Sequence, residues 1–374
     1  MQPTNLDGVP YNLEVGPVAL TLAAGSNVSY NDNINLANDG KESDLIVSPT
    51  LSLDAFWQVT DKNALTFNVD FGYQHYLTHS QYDSFIVAPG STTQFSLYIE
   101  DFKITVGDKF SYQSDPTQVA QLSNQPQLER FLNDAGVNVT WDLSEMVASL
   151  GYDHTTFLVF QPLYKYLNYE ADSLSPKLSF ELNPTLAAGL EASAAAIQYT
   201  EDYQNNYVEF TGGPFVNMKI SNYLSANFEA GGVFADFATG GLNDDSQNIR
   251  SYYFSGGLTH QVDPYITEAL TFGREYLPGL TSNYTKRYYV EYSPSWKATP
   301  NLTITPRIWW ENLDDSDSLV REKANRYEAG ISVGYALTEH TKCNFDYQYL
   351  VKSSDQNVLS YRQNQLTLGL TYAF

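Results

Sequence analysis

The last nine residues restrict the fold more than any other part of the chain: Leu366, Leu368, Leu370, Tyr372 and Phe374 alternate strictly with Thr367, Gly369, Thr371 and Ala373. Side chains at every second position share one face of a strand, so this segment is apolar on one side and polar or small on the other. In a soluble domain a terminal strand usually passes into a polar tail, and an apolar face ending on an aromatic gains little there. The same alternation recurs upstream. Leu65, Phe67, Val69, Phe71 and Tyr73 interleave with Thr66, Asn68, Asp70, Gly72 and Gln74, and Phe345, Tyr347 and Tyr349 with Asn344, Asp346 and Gln348. These runs exceed the five or six residues of an ordinary globular strand.

No stretch of about 18 consecutive apolar residues exists, so a transmembrane helix is excluded and a closed barrel is the only way this chain can cross a bilayer. Strands are expected to begin near Pro17, Leu45, Ala64, Thr93, Phe102, Phe131, Met146, Tyr166, Thr185, Tyr207, Leu224, Arg250, Tyr265, Tyr284, Leu302, Tyr327, Lys342 and Tyr361. The fold class is therefore all-β, a transmembrane antiparallel up-and-down barrel of about 18 strands, within a range of 16–18. Connections alternate in length. Short links such as Glu100-Asp101, Leu143-Ser144-Glu145 and Val262-Asp263-Pro264 fall between longer polar stretches at 31–43, 79–92, 113–128, 238–248, 314–324 and 352–360; the link at 161–164 is short for its place. Trp57, Trp141, Tyr152, Tyr265, Tyr288, Trp296, Trp310 and Tyr335 sit near expected strand ends, where rings with a polar tip suit lipid–water boundaries, although strands favour aromatics anyway. Glu268 and Asp108 fall on the lipid-facing parity, which calls for a bulge, an interface position or a different register.

The closing strand resembles that of bacterial outer-membrane β-barrels of the porin type, in which aliphatics at alternate positions, an aromatic two residues before the end and a final Phe form the assembly signal; Leu366, Leu368, Leu370, Tyr372 and Phe374 match it position by position. Gly16-Pro17 and Tyr30-Asn31-Asp32-Asn33-Ile34 resemble, more loosely, the opening of barrels found in exopolysaccharide operons. The resemblance implies a bacterial outer-membrane location with both termini periplasmic, and an N-terminal periplasmic segment at 1–16 ahead of a single barrel domain at 17–374. It also implies contact with membrane lipid and lipopolysaccharide, the barrel assembly machinery as a partner, and a homo-trimer by analogy with porins of this size. Met1 to Asn5 is polar with no hydrophobic run behind it, so any export signal is expected to have been removed.

Charge and cysteine content exclude several functions. With 43 acidic and 20 basic residues the net charge is −23, which repels nucleic acid, and a single Cys rules out intramolecular disulfides, cysteine metal clusters and attached c-type haem. Parity assigns Asp54, Asp70, Glu100, Lys103, Glu209, Glu229, Arg287, Glu291, Arg307, Glu311, Glu328 and Asp346 to the lumen. An acid-weighted wall attracts cations, while the same residues could equally solvate the wall as ion pairs. Arg287 and Arg307 lie on neighbouring expected strands with Glu291 and Glu311 close by; opposed rows of charge would set up a transverse field, and paired residues would look the same in sequence. Asp115-Pro116 is a helix-start pair, and Val119 with Leu122 would share a face, so a short helix in the third long loop, folded into the pore or lying as a surface flap, is expected.

No cofactor and no metal site is expected. His75 and His79 are four residues apart, about 13 Å along a strand, too far to share a zinc ion. Acidic loops at 31–33, 243–245 and 314–317 lack calcium-loop spacing. His79-Ser80 is the only Ser–His neighbour, and adjacent strand residues point to opposite faces, so no enzyme is expected. Cys343 falls on the lipid-facing parity. The expected function is passive diffusion of small hydrophilic solutes or ions with cation preference. The alternatives are export or anchoring of a surface polysaccharide, or a scaffold barrel around a partner protein.

Overall fold

The computed structural model describes residues 11–317 and 320–374. Its strands are β1 (Leu13–Val15), β2 (Val18–Asn31), β3 (Asp44–Thr60), β4 (Asn63–Tyr76), β5 (Ser84–Ile99), β6 (Phe102–Gln113), β7 (Arg130–Asp142), β8 (Met146–Val159), β9 (Tyr169–Asn183), β10 (Leu186–Tyr199), β11 (Tyr207–Lys219), β12 (Leu224–Phe237), β13 (Ile249–Gln261), β14 (Ile266–Pro278), β15 (Tyr284–Thr299), β16 (Leu302–Asp315), β17 (Lys323–Ala336), β18 (Thr341–Ser354) and β19 (Tyr361–Ala373). From β2 onward each strand pairs antiparallel with its sequence neighbours, and β19 returns to β2 to close an 18-stranded barrel. Closure pairs the ladders of every strand, which lets a β structure sit in hydrocarbon without unsatisfied backbone groups.

Alternation dictates the faces. Outward positions carry exposed Leu51, Trp57, Tyr73, Val106, Leu150, Leu190, Phe228, Ile308, Leu368 and Leu370, while inward positions are covered by neighbours or by loops. At the rim with short turns, Phe102 and Trp141 stack at 5.4 Å, and Tyr265, Trp296, Tyr335 and Phe374 are exposed. Two rings on the lumen side pack over glycines of the next strand. Phe215 covers its partner Gly189, and Tyr289 covers Gly273 so closely that an added Cβ there would come within 2.6 Å of the phenol oxygen.

Four expectations change. First, β5 begins at Ser84, within the stretch expected to be a loop to Thr92: residues 84–87 pair with β4, and the register shifts between Val87 and Ser91, where Gly90 takes a φ of 100°. Pro89-Gly90 interrupts the alternation and hid the strand. Second, the 160–168 link holds a 3-10 helix at Pro162–Leu167, so β9 starts at Tyr169 and the link is longer than expected. Third, residues 13–15 belong to the wall: β1 pairs with Val18–Leu20 of β2. The rest of the expected N-terminal segment, residues 1–10, lies outside the described residues.

The fourth concerns Asp108 and Glu268. Pairing around both is regular, so they do face outward. Each is met by polar neighbours: Asn133 donates to Asp108, while Tyr292 (2.8 Å) and His260 (3.2 Å) bond Glu268.

Candidate functional site: the lumen constriction

The 114–129 connection between β6 and β7 folds into the barrel. Asp115 accepts a bond from the Thr117 N–H at 2.9 Å and Pro116 presets the backbone, which starts a 3-10 turn at Pro116–Gln118 rather than an α-helix. Beyond it, Leu122 and Leu128 bury against Val159, Tyr164 and Leu167, with Val119 packed on the same cluster. Ala120 reaches Leu313 and Ala324 of β16 and β17.

Charged side chains of the far wall fix this loop through its backbone. Lys352 on β18, fully buried, donates to Gln121 O at 2.8 Å and to Ser123 Oγ at 3.1 Å, and pairs with Glu322 at 3.1 Å. Arg326 on β17 donates to Thr117 O at 2.9 Å, and Gln121 Nε2 donates to Thr285 Oγ1 at 3.1 Å. Bonds from charged donors are worth about 1.5–3 kcal/mol each, which adds to the apolar packing of Leu122 and Leu128 in holding the loop against the wall.

Between the loop and β15–β17 lies a cavity of about 590 Å³ lined by Arg287, Tyr289, Glu291, Arg307, Trp309, Glu311, Arg326 and Glu328. Glu311 is its electrostatic centre: only 1% exposed, it accepts from Arg287 Nε at 2.6 Å and from Arg326 Nη1 at 2.7 Å. Arg287 also pairs with Glu275 at 2.8 Å, and Glu328 takes Arg307 together with Gln348 Nε2 at 2.8 Å. Arg287 lies over the Tyr289 ring (4.8 Å) and Arg326 over Trp309 (5.2 Å), so each guanidinium is held between a carboxylate and an aromatic face. Acids and bases therefore interleave on one wall. Within this wall they pair with each other and do not stand as separate rows of opposite charge.

Of the expected lumen residues, Arg287, Glu291, Arg307, Glu311 and Glu328 come together at this cavity. Others are spread over the wall on inward positions. Asp54 accepts from Asn68, Lys103 lies beside the Tyr98 ring at 5.7 Å, and Glu229 accepts from Ser255 Oγ at 2.8 Å. Asp346 accepts from Asn344, Glu209 stands on β11 opposite Ala195 and Ala235, and Asp70 stands on β4 opposite Ser52. Glu100 is corrected: it forms the tip of the β5–β6 turn, exposed, with a φ of 51°, and does not line the lumen.

Sequence reading missed Arg326, Lys352 and Arg130, because it placed Arg326 before the start of its strand and Lys352 in the following loop. Arg326 shares parity with Glu328, and extending the alternation by one step would have found it. Arg130 is buried at the loop's return, donating to Asp115 O at 2.8 Å and to Gln113.

His75 and His79 bond separate carboxylates, Asp83 at 2.7 Å and Asp44 at 2.8 Å. Among the described residues no group of three or more His, Cys, Asp or Glu is arranged to hold a metal ion.

No protein-family model matches the chain, and no curated protein matches it either. Solved structures do. A BenF-like porin from Pseudomonas fluorescens Pf-5 is similar at a TM-score of 0.55 and 10% identity, over 96% of this chain and 100% of that one. OccK2 (OpdF) of Pseudomonas aeruginosa, solved in complex with glucuronate, is similar at 0.54 and 11%, over 96% and 98%. OpdK of Pseudomonas aeruginosa, solved with vanillate, is similar at 0.53 and 9%, over 95% and 99%. The fold of this chain is that of these porin barrels.

Proposed function

We propose that this chain is an outer-membrane porin through which small hydrophilic solutes diffuse passively, with cations preferred over anions. The observation that carries the reading is the charged cavity between the inward loop and β15–β17, inside a barrel of a size that encloses an aqueous channel. Selection would rest on width and wall charge, with no covalent step. At the cavity Arg287, Arg307 and Arg326 are matched in number by Glu291, Glu311 and Glu328 and each contacts a carboxylate, so the cation preference draws on the further wall carboxylates at Asp54, Asp70, Glu209, Glu229 and Asp346. Under this reading the short-turn rim and both chain ends face the periplasm, and Leu366, Leu368, Leu370, Tyr372 and Phe374 serve the assembly machinery.

A second reading rests on Arg287, Arg307 and Arg326 lining one cavity: a solute bearing a carboxylate would exchange with Glu311 or Glu328 for a guanidinium. Glucuronate and vanillate, present in two of the similar porins, are solutes of that kind.

Single-channel recording in a planar bilayer under a salt gradient tests both readings. Stable steps with a cation-favouring reversal potential support the first, and block by millimolar glucuronate supports the second. A correctly folded barrel with no conductance would overturn both and favour polysaccharide export or a partner-filled scaffold.

A further inference from the structure

One ladder row on the outer wall carries no large apolar side chain from β5 to β9. Thr93 opposes Asp108, Asp108 opposes Ala135, Ala135 opposes His154 and His154 opposes Asp172. The next row toward the long loops adds Asn133 opposite Thr156. Both rows share the parity of Val106 and Val137, which are exposed on the lipid face. Apolar rows bracket the patch: Phe95, Val106, Val137, Tyr152 and Leu174 toward the short turns, and Tyr112, Phe131 and Leu158 toward the loops. Asp108 stands six residues above Phe102, the first residue of β6, which is about 15 Å of height at roughly 2.5 Å per residue of a tilted strand, well inside an apolar band about 25 Å tall.

Within this patch Asp172 is well served, bonded to His154 Nδ1 at 3.0 Å and accepting from Tyr152 Oη at 2.7 Å. Asp108 is not. Among the described residues it forms no ion pair, and the bond to its side chain comes from Asn133. One carboxylate oxygen of Asp108, the second amide hydrogen of Asn133 and the Asn133 carbonyl oxygen are left over. Lipid tails offer them neither donor nor acceptor, and ionisable groups at membrane depth ordinarily face protein or water. The leftover groups complement each other. A two-fold axis along the membrane normal lays this wall against itself with every residue at equal depth, and sets Asn133 of a second copy against Asp108, donor to acceptor, in both directions. Thr93 and Ala135, beside Asp108 in the row, are short enough to let two such walls close.

We propose that the outer wall of β6–β8 is a self-complementary contact between two copies of this chain, in which the free amide hydrogen of each Asn133 bonds the Asp108 carboxylate of the other copy. Such a contact closes at two copies and differs from the trimer expected by analogy of size. The contact rests on the outer-membrane reading but not on conduction.

The chain carrying Cys343→Ser is given a single cysteine by Ala135→Cys or by Ile308→Cys, the latter on β16 at the opposite side of the ring. Each is folded into lipid bilayers and treated with a short bis-maleimide, and heat-modifiable gel mobility confirms that each barrel is folded. Position 135 should link to position 135 in a product of twice the chain mass, and position 308 should not. Adding Asp108→Val with Asn133→Val should weaken the linking at least about tenfold, because both symmetric bonds are lost at once. Nitroxides at the two positions report what surrounds them: oxygen should relax the one at 308 strongly and the one at 135 weakly. Strong relaxation at both with no linked product puts lipid against β7 and overturns the contact. So does an oligomer in which 135 does not reach 135, a linked product of another mass in whole outer membranes, or undiminished linking in the double valine variant. Weak relaxation at 308 would overturn the membrane reading and the contact with it, a result separate from lipid found at 135 alone.

Discussion

The ammonium of Lys352 donates to the carbonyl of Gln121 across the lumen at 2.8 Å, joining the eighteenth strand to a loop that precedes it by 231 residues. A buried amine bonded to a main-chain oxygen holds the loop's path whatever its side chains are. Replacing Lys352 with Met removes that anchor and leaves Glu322 buried without its cation, at a cost of about 3–5 kcal/mol. The loop should then fluctuate, and single-channel traces should show larger and noisier steps than wild type. Traces indistinguishable from wild type would mean that Leu122 and Leu128 alone seat the loop.

Glu311 holds two guanidiniums. Changing it to Gln frees positive charge beside the cavity, so the reversal potential under a salt gradient should move toward anions. Asp346→Asn, which lies outside the cavity lining, should move it less. A larger shift from Asp346 would relocate the selectivity filter to the lower wall.

Gly273→Ala places a methyl group where the Tyr289 ring now rests. The ring must tilt off the wall into the passage, and Arg287 above it must follow. Conductance should fall while the folded, heat-modifiable band persists; unchanged conductance would show that the ring finds room sideways.

Cys343 is the chain's only cysteine and pairs with outward Leu370 and Tyr335. A nitroxide attached to it in a reconstituted bilayer should be relaxed more strongly by oxygen than by a water-soluble nickel chelate. The opposite ranking would invert the assignment of faces along β18.

Alternation alone made the architecture legible, because lipid on one side and water on the other force a period of two on every strand. Most strand starts follow from it to within three residues, and β5 escaped because Pro89-Gly90 breaks the period without ending the strand. The site was legible only in part. Parity places Arg287, Glu311 and Glu328 on the lumen, but which carboxylate meets which guanidinium depends on strand stagger, and stagger leaves no local trace in sequence. Lys352 was opaque for another reason: its partner is a backbone carbonyl, and backbone atoms have no residue type to read.

At the seam, the lower edge of β2 is met by Leu13–Val15 and the upper edge by β19, so two separate pieces of chain share one ladder. The Asn12 carboxamide spans the joint, donating to Leu22 O at 2.7 Å and accepting from Leu22 N at 2.9 Å, in place of the peptide group a continuous strand would supply. Unpaired strand edges are where foreign strands attach. Phe374 N donates to the same Leu22 O at 3.1 Å, so among the described residues the junction of the two chain ends presents a filled ladder, and not an open edge, to a neighbouring strand.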